Sequence, residues 1–351
     1  MGKTGNVMAL KYAKAMGDNS SVVSNGTIYD SIGYIDTGNY LLNAQISKSI
    51  HNGIPSNKIT MFAGEESTGK TFLLLGVIRH YLDSDKNNIV VFFESEGAIN
   101  KKILESRGID TTRVVLKSVD SVEEFRHASI TFLDNYLKDD PDERPKVFMC
   151  LDSLGMLPSS KETNDALAGN DKSDMTRPKI LKSVFRILTV KLAAANIAMV
   201  VTNHVYATMD MYGAPQISGG SGSKYAASTI VMLTKGNYKE DGDGHESKSG
   251  DHMGISVGST LIKSRDTRQK KKIKFVIHVK KGLDYFSGLF EFCYEEGLIE
   301  KRGRSYFWAS EGEESKALFK KVIMDDLKGF FNKQRLKELD KYCIKYFGYG
   351  D

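Results

Sequence analysis

Cysteine is scarce in this chain: three occur in 351 residues, at Cys150, Cys293 and Cys343. They lie far apart, match no metal-ligand spacing, and fit a reducing cytoplasm rather than a disulfide framework. Cys150 sits inside an apolar run and reads as core. Long apolar runs are missing as well. None approaches the roughly 18 residues of a membrane-spanning helix. The opening Met1-Gly2-Lys3-Thr4-Gly5-Asn6 has neither the apolar stretch of a signal peptide nor the myristoylation pattern, so no membrane partner is expected. No internal repeat is found. Neither charge dominates: 49 Lys and Arg against 44 Asp and Glu give +5, which permits an anionic partner without requiring one. What remains is a 40% apolar composition over a length that suits one large domain plus a small one.

The strongest local signal is Gly64-Glu65-Glu66-Ser67-Thr68-Gly69-Lys70-Thr71, which fits G-x-x-x-x-G-K-[ST]. Residues 58–63 before it read as a strand, and 71–78 after it as a helix. A loop in that setting turns successive backbone N–H groups toward one point, and the helix start adds partial positive charge there. Gly64 and Gly69 admit approaches that a Cβ would block. Lys70 is expected to reach the β- and γ-phosphates of a nucleotide, and the Thr71 hydroxyl to hold Mg²⁺. With Phe72 at the first helical turn, 64–72 form the candidate nucleotide-binding set.

Strands are expected over 88–94, 113–117, 146–152, 197–203 and 229–234. Helices are expected over 98–107, 121–138 and 174–194, the second opened by Ser121 with Glu124 three residues later, a capping box. Such alternation predicts a doubly wound α/β fold with a largely parallel sheet and its ligand chemistry at the carboxyl ends of the strands. The strand ends carry suitable residues. One closes on Asp152, a candidate Mg²⁺-holding carboxylate. Another runs into Glu94-Ser95-Glu96, either an acid-rich helix start or the place of a general base, with Glu96 the candidate and Glu94 the reserve. A third ends in Asn203-His204, where a polar side chain would lie near a γ-phosphate.

Two stretches, 155–173 and 205–223, show no clear period over about 19 residues each, and loops that long are functional or mobile. The second holds Tyr206, Met209, Met211 and Tyr212, then Gly219 and Gly220. Glycines let backbone come close to phosphates, and mobile aromatic and apolar residues suit stacking against bases. Lys179, Lys182 and Arg186, at i, i+3 and i+7, share one helix face, either solvated or a grip on a phosphate backbone. Residues 237–252 read as a hairpin tip, since Asp241-Gly242-Asp243-Gly244 lacks the correctly spaced Glu of a calcium loop. A strand pair at 260–265 and 272–280 carries a basic turn, 268–272, again either solvated or a phosphate contact. Past 298 a short strand at 306–308 and helices near 313–332 and 333–347 suggest a small domain. Residues 1–25 suggest an amphipathic helix (Met8, Leu10, Tyr12, Ala13, Met16) and a polar loop, either a packing arm for a neighbouring subunit or a frayed terminus.

Taken together these residues resemble the RecA-family homologous-recombination ATPases, and most of all the UvsX-type recombinases of tailed bacteriophages. The resemblance is carried by 64–71, Glu94-Ser95-Glu96, Leu151-Asp152-Ser153-Leu154-Gly155, Asp174-Met175-Thr176-Arg177, Thr202-Asn203-His204, Ile262-Lys263-Ser264-Arg265 and Gly297-Leu298-Ile299-Glu300-Lys301. It covers roughly 30–345. It implies a subunit-packing arm at 1–30, a RecA-like P-loop ATPase core with a largely parallel twisted sheet at 31–290, and a small C-terminal α+β domain at 291–351. It implies Glu96 as catalytic carboxylate, His204 as γ-phosphate sensor, and Lys263 and Arg265 as cations given in trans to a neighbour's ATP. The DNA-binding loops would be 155–173 and 205–223. Lys179, Lys182, Arg186, Tyr206, Met209, Gly219 and Gly220 would grip DNA, and Tyr225 would meet a neighbouring subunit. Two departures stand out. The family's adenine-stacking aromatic is replaced by Ile103, leaving Phe286 of a neighbouring subunit as a substitute, and the acidic tail of some relatives is not seen.

The function so implied is a DNA-dependent ATPase using ATP and Mg²⁺. It would form a helical filament on single-stranded DNA and catalyse homologous pairing and strand exchange with duplex DNA, in recombination, repair and recombination-dependent replication. A recombination mediator and a single-strand-binding protein are the further expected partners, in a cytoplasm that is the host's if the chain is phage-encoded. Two rivals share the phosphate loop: a hexameric RecA-core DNA helicase and a DNA-independent ring-forming ATPase.

Overall fold

The computed structural model describes residues 7–17, 20–170, 175–206, 216–218, 224, 226–240, 251–279, 282–314 and 316–349. Helix α1 (Val7–Ala15) comes first. A short antiparallel pair, β1 (Tyr34–Ile35) and β2 (Ile54–Pro55), then brackets α2 (Tyr40–Ser47), whose N-cap Asn39 accepts from Leu42 N at 3.0 Å. The alternating region follows: β3 (Ile59–Gly64), α3 (Lys70–Ser84), β4 (Ile89–Glu94), α4 (Lys101–Ser106), β5 (Val114–Ser118), α5 (Val122–Tyr136), β6 (Val147–Asp152), α6 (Ser160–Leu167), α7 (Arg177–Ala195) and β7 (Ala198–Tyr206). After it come β8 (Gln216–Ile217), β9 (Thr229–Glu240), β10 (Asp251–Lys263), β11 (Lys272–His278) and β12 (Gly282–Leu283).

One mixed sheet organises all of this, in the order β12-β11-β10-β9-β3-β7-β6-β4-β5. The six strands from β9 to β5 run parallel, and β10, β11 and β12 continue antiparallel. Strands β3 and β6 are buried at every position, as parallel strands covered on both faces must be, so apart from Thr60 and the terminal Asp152 their sequences are apolar rather than alternating. The two-residue period still sorts them into two cores. Phe62, Phe92 and Phe148 face α3, while Met61, Phe93 and Met149 face α5 and α7, with Phe125, Phe185 and Leu188 opposite.

The C-terminal segment adds a helix (Leu289–Glu295), a small antiparallel sheet of β13 (Ile299–Arg302), β14 (Ser305–Trp308) and β15 (Leu318–Phe319), and a final helix, Lys333–Phe347. Trp308, Phe331, Leu339, Cys343 and Phe347 join the core on the α3 side. Arg335, almost fully buried, is neutralised by a two-pronged pair with Glu311 at 2.7 and 2.6 Å.

Several expectations change. The single helix near 313–332 is two short ones, Lys320–Asp325 and Leu327–Phe330. Asp326 leaves helical geometry (φ −137°, ψ 65°) and its carboxylate accepts from Gly329 N at 2.9 Å, starting a new helix. The first long loop is not structureless. It holds a tight turn, Leu154–Met156, and then α6, capped by Ser159, which accepts from Glu162 N at 3.0 Å. The second opens as a hairpin, with Val205 paired to Ile217, and 207–215 lie outside the described residues. The hairpin at 237–252 joins β9 and β10, much longer strands than expected, and its tip 241–250 is also outside the described residues. The basic turn is partly tied down, although Gln269, Lys270 and Lys272 remain exposed. Arg268 N bonds Phe347 O at 2.7 Å, and the Lys271 ammonium sits 3.7 Å over the Tyr346 ring. At α5, Ser121 accepts from Glu124 N at 3.3 Å, but the Glu124 carboxylate bonds Asp120 N instead of closing the box on Ser121. All three cysteines are buried thiols. Among the described residues no helix is long and apolar enough to cross a membrane.

Candidate active site

The loop between β3 and α3 folds as its sequence requires. A Cβ on Gly64 would meet Thr68 Oγ1 at 2.6 Å and the Leu233 carbonyl at 2.8 Å. Gly69 adopts φ 87°, and a Cβ there would meet Ile255 Cδ1 at 2.7 Å. Lys70, 6% exposed, donates to the carbonyls of Gly64 at 3.0 Å and Glu65 at 2.8 Å. Burial lowers its pKa, while Glu96, Asp152 and Glu66 pull the other way. Thr68 donates to Glu65 O at 2.9 Å, and Glu65, Glu66 and Ser67 are exposed around the rim. Phe72, also exposed, lies under the Arg107 guanidinium, 3.9 Å from its ring centre.

Register brings the strand ends together. Glu94 pairs with Asp152 across β4 and β6, and Gly64 with His204 across β3 and β7. Asp152 accepts from Thr71 Oγ1 at 2.8 Å and from Thr202 Oγ1. Burial pushes its carboxyl above the usual carboxylate range, opposed by those two hydroxyls. The hydroxyl of Thr71 and the carboxylate of Asp152 are hard oxygen donors side by side, which suits Mg²⁺ with phosphate oxygens and water completing its shell.

Glu96 accepts from Ser153 Oγ, and its Oε1 lies 3.0 Å from His204 Nε2. Burial raises its pKa, but bonds to Ser153 and His204, with Lys70 nearby, leave it below the ordinary value. Glu94 is engaged differently: buried, it accepts from the backbone N–H of Glu96 and of Ala98, both at 3.0 Å. Of the two acids, Glu96 is therefore the one that faces the site.

Lys263 and Arg265 are not near this loop. Lys263 pairs with Ile230, and Ile230 with Met61, three residues before Gly64, so Lys263 lies about 10 Å back along the sheet. Arg265 follows two residues later, just past the end of β10. Lys263 donates to Lys224 O at 2.6 Å, and burial, then Arg265, lowers its pKa. Phe286 packs against Tyr40 and Phe331 of the same chain (ring centres 5.4 and 6.2 Å), and Ile103 rests on the core.

Lys179, Lys182 and Arg186 are exposed along α7, whose other face buries Leu181, Val184, Phe185 and Leu188. Among the described residues none of the three is ion-paired, whereas Lys191 further along is paired with Asp134. Tyr206 is 57% exposed at the end of β7. Met209, Gly219, Gly220 and Tyr225 lie outside the described residues. Sequence reasoning assigned no role to Ser153, Thr202 or Arg107. Ser153 and Thr202 adjoin motif residues at the strand ends, and that adjacency was the available signal. Arg107 had none.

The RecA N-terminal domain matches residues 7–284. The recombination and repair protein of Enterobacteria phage T4 is 31% identical over 267 residues, which is 76% of this chain and 65% of that protein. The mitochondrial DNA repair protein recA homolog of Dictyostelium discoideum is 23% identical over 256 residues, 72% of this chain and 52% of that protein. Protein RecA of Syntrophus aciditrophicus is 22% identical over 284 residues, 80% and 76% of the two chains. The match thus spans less than two thirds of the first two relatives.

Proposed function

Because the chain belongs to the RecA family, we propose that it is a DNA-dependent ATPase that assembles on single-stranded DNA and promotes homologous pairing and strand exchange. The observation that carries this is the meeting of Lys70, Thr71, Asp152, Glu96 and His204 at one sheet edge. In this reading Lys70 exchanges the carbonyls of Gly64 and Glu65 for phosphate oxygens. Thr71 and Asp152 hold Mg²⁺, which supplies charge neutralisation. Glu96 orients and deprotonates the attacking water, and His204 reports on the γ-phosphate. Lys263 and Arg265 complete the next subunit's site, so turnover depends on assembly. Lys179, Lys182, Arg186 and Tyr206 give a sequence-independent grip of charge and stacking. A mediator and a single-strand-binding protein belong to the same reading.

The test is strand invasion: protein, ATP, Mg²⁺, a labelled single strand and homologous duplex, alongside a forked duplex and electron microscopy. Joint molecules and helical filaments are expected. Closed rings that unwind the fork would favour a helicase, and rings indifferent to DNA a self-contained ATPase.

A further inference from the structure

Arg177 opens α7, yet its side chain turns back to the end of β6. Nε donates to Leu157 O at 2.6 Å, and Nη2 to Leu154 O at 3.1 Å and Gly155 O at 3.2 Å. Those carbonyls belong to the turn that directly follows Asp152-Ser153, anchored by the buried side chains of Leu154 and Leu157. The turn is pressed against the sensor strand. A Cβ on Gly155 would meet His204 Cδ2 at 3.0 Å and Asn203 Oδ1 at 3.2 Å. His204 in turn touches Glu96, which Ser153 also holds. A planar guanidinium reaches three carbonyls at fixed angles, whereas an ammonium on a flexible stem does not. The start of the basic helix is therefore fastened to the backbone lying against the histidine.

We propose that Arg177 is a positioning residue that couples the γ-phosphate site to α7. Movement of His204 on nucleotide binding displaces Gly155, and Arg177 carries that displacement to the turn bearing Lys179 and Lys182. The inference rests on the recombinase reading for what α7 grips, but the coupling itself needs no DNA. Tight packing favours two discrete arrangements over graded deformation, the condition for such transmission.

The experiment is hydrogen exchange over 154–186, with and without a non-hydrolysable ATP analogue, in the wild type, Arg177→Gln and Arg177→Lys. The wild type is expected to change exchange across 175–186 at least threefold on binding the analogue. Arg177→Gln is expected to bind the analogue within twofold of wild type and to lose that response. A full response in Arg177→Gln, or a wild-type helix indifferent to the analogue, overturns the proposal. Should Arg177→Gln not fold, Arg177→Lys decides: a reduced response supports the coupling and a full one overturns it. A parallel anisotropy titration with single-stranded DNA separates the two readings. The analogue's gain in DNA affinity should fall at least tenfold in the Arg177 variants. It should persist in Lys182→Ala, which weakens both states alike. A wild type that responds in exchange but binds no DNA contradicts the recombinase reading and leaves the coupling standing.

Discussion

The phosphate loop and the basic face of α7 both begin at the carboxyl edge of one sheet, but they are built in opposite ways. Around the loop the polar groups are held. Lys70 bonds two carbonyls, Asp152 takes two hydroxyls, and Glu96 is held between Ser153 and His204. On α7, Lys179, Lys182 and Arg186 stand exposed, and Lys191, outside that face, is the one paired with a carboxylate on α5. The contrast fits the role proposed for each. Phosphoryl transfer gains from groups fixed before the reaction. A repeating phosphate chain asks only for unneutralised charge of roughly the right spacing.

The sharpest break comes at Lys70. Lys70→Ala removes the only loop cation with phosphate reach, and ATP hydrolysis should fall to background, by about 10³-fold or more, with ATP-stabilised filaments lost. Phosphate release and microscopy check both. Retained turnover would end the catalytic assignment. Next is Glu96→Ala, which should still bind ATP and DNA while hydrolysing on the order of 10³-fold more slowly. Wild-type turnover there would shift the base role to Glu94, which would first have to give up two backbone bonds. Arg265→Ala should cost about 10²-fold, and mixing it with Lys70→Ala should restore some activity, since one interface in the mixture then has both intact halves. Mixtures no more active than their parts would place Arg265 outside the neighbour's site. The smallest effect belongs to the exposed face. Lys182→Ala should weaken single-strand binding several-fold and lower the salt slope by about 0.7, leaving DNA-independent hydrolysis alone. A loss that ignores salt would argue for a packing role.

The same contrast explains what was legible beforehand. The phosphate loop was readable because its work is done by contiguous residues whose flanks identify themselves as strand and helix. The sheet was readable because strands buried on both faces are apolar almost throughout. Ser153 on Glu96 and Thr202 on Asp152 were not, because those bonds exist only once β4, β6 and β7 stand in register. Helix α6 was missed since it buries no residue and so has no apolar period, though its Ser159-x-x-Glu162 cap was there to be read. The break at Asp326 was missed for the reverse reason: the apolar period spans it, and a side-chain bond to Gly329 overrides it. The packing of Phe286 between Tyr40 and Phe331 was not legible either, since those contacts join residues far apart in the sequence.

The central claim is that the active sites lie between subunits assembled on DNA. ATP hydrolysis with and without single-stranded DNA, across a titration of the protein, tests it directly. The account predicts strong stimulation by DNA and a rise steeper than linear with protein concentration. Turnover independent of DNA and linear in protein would contradict it, leaving a self-contained ATPase on the same fold.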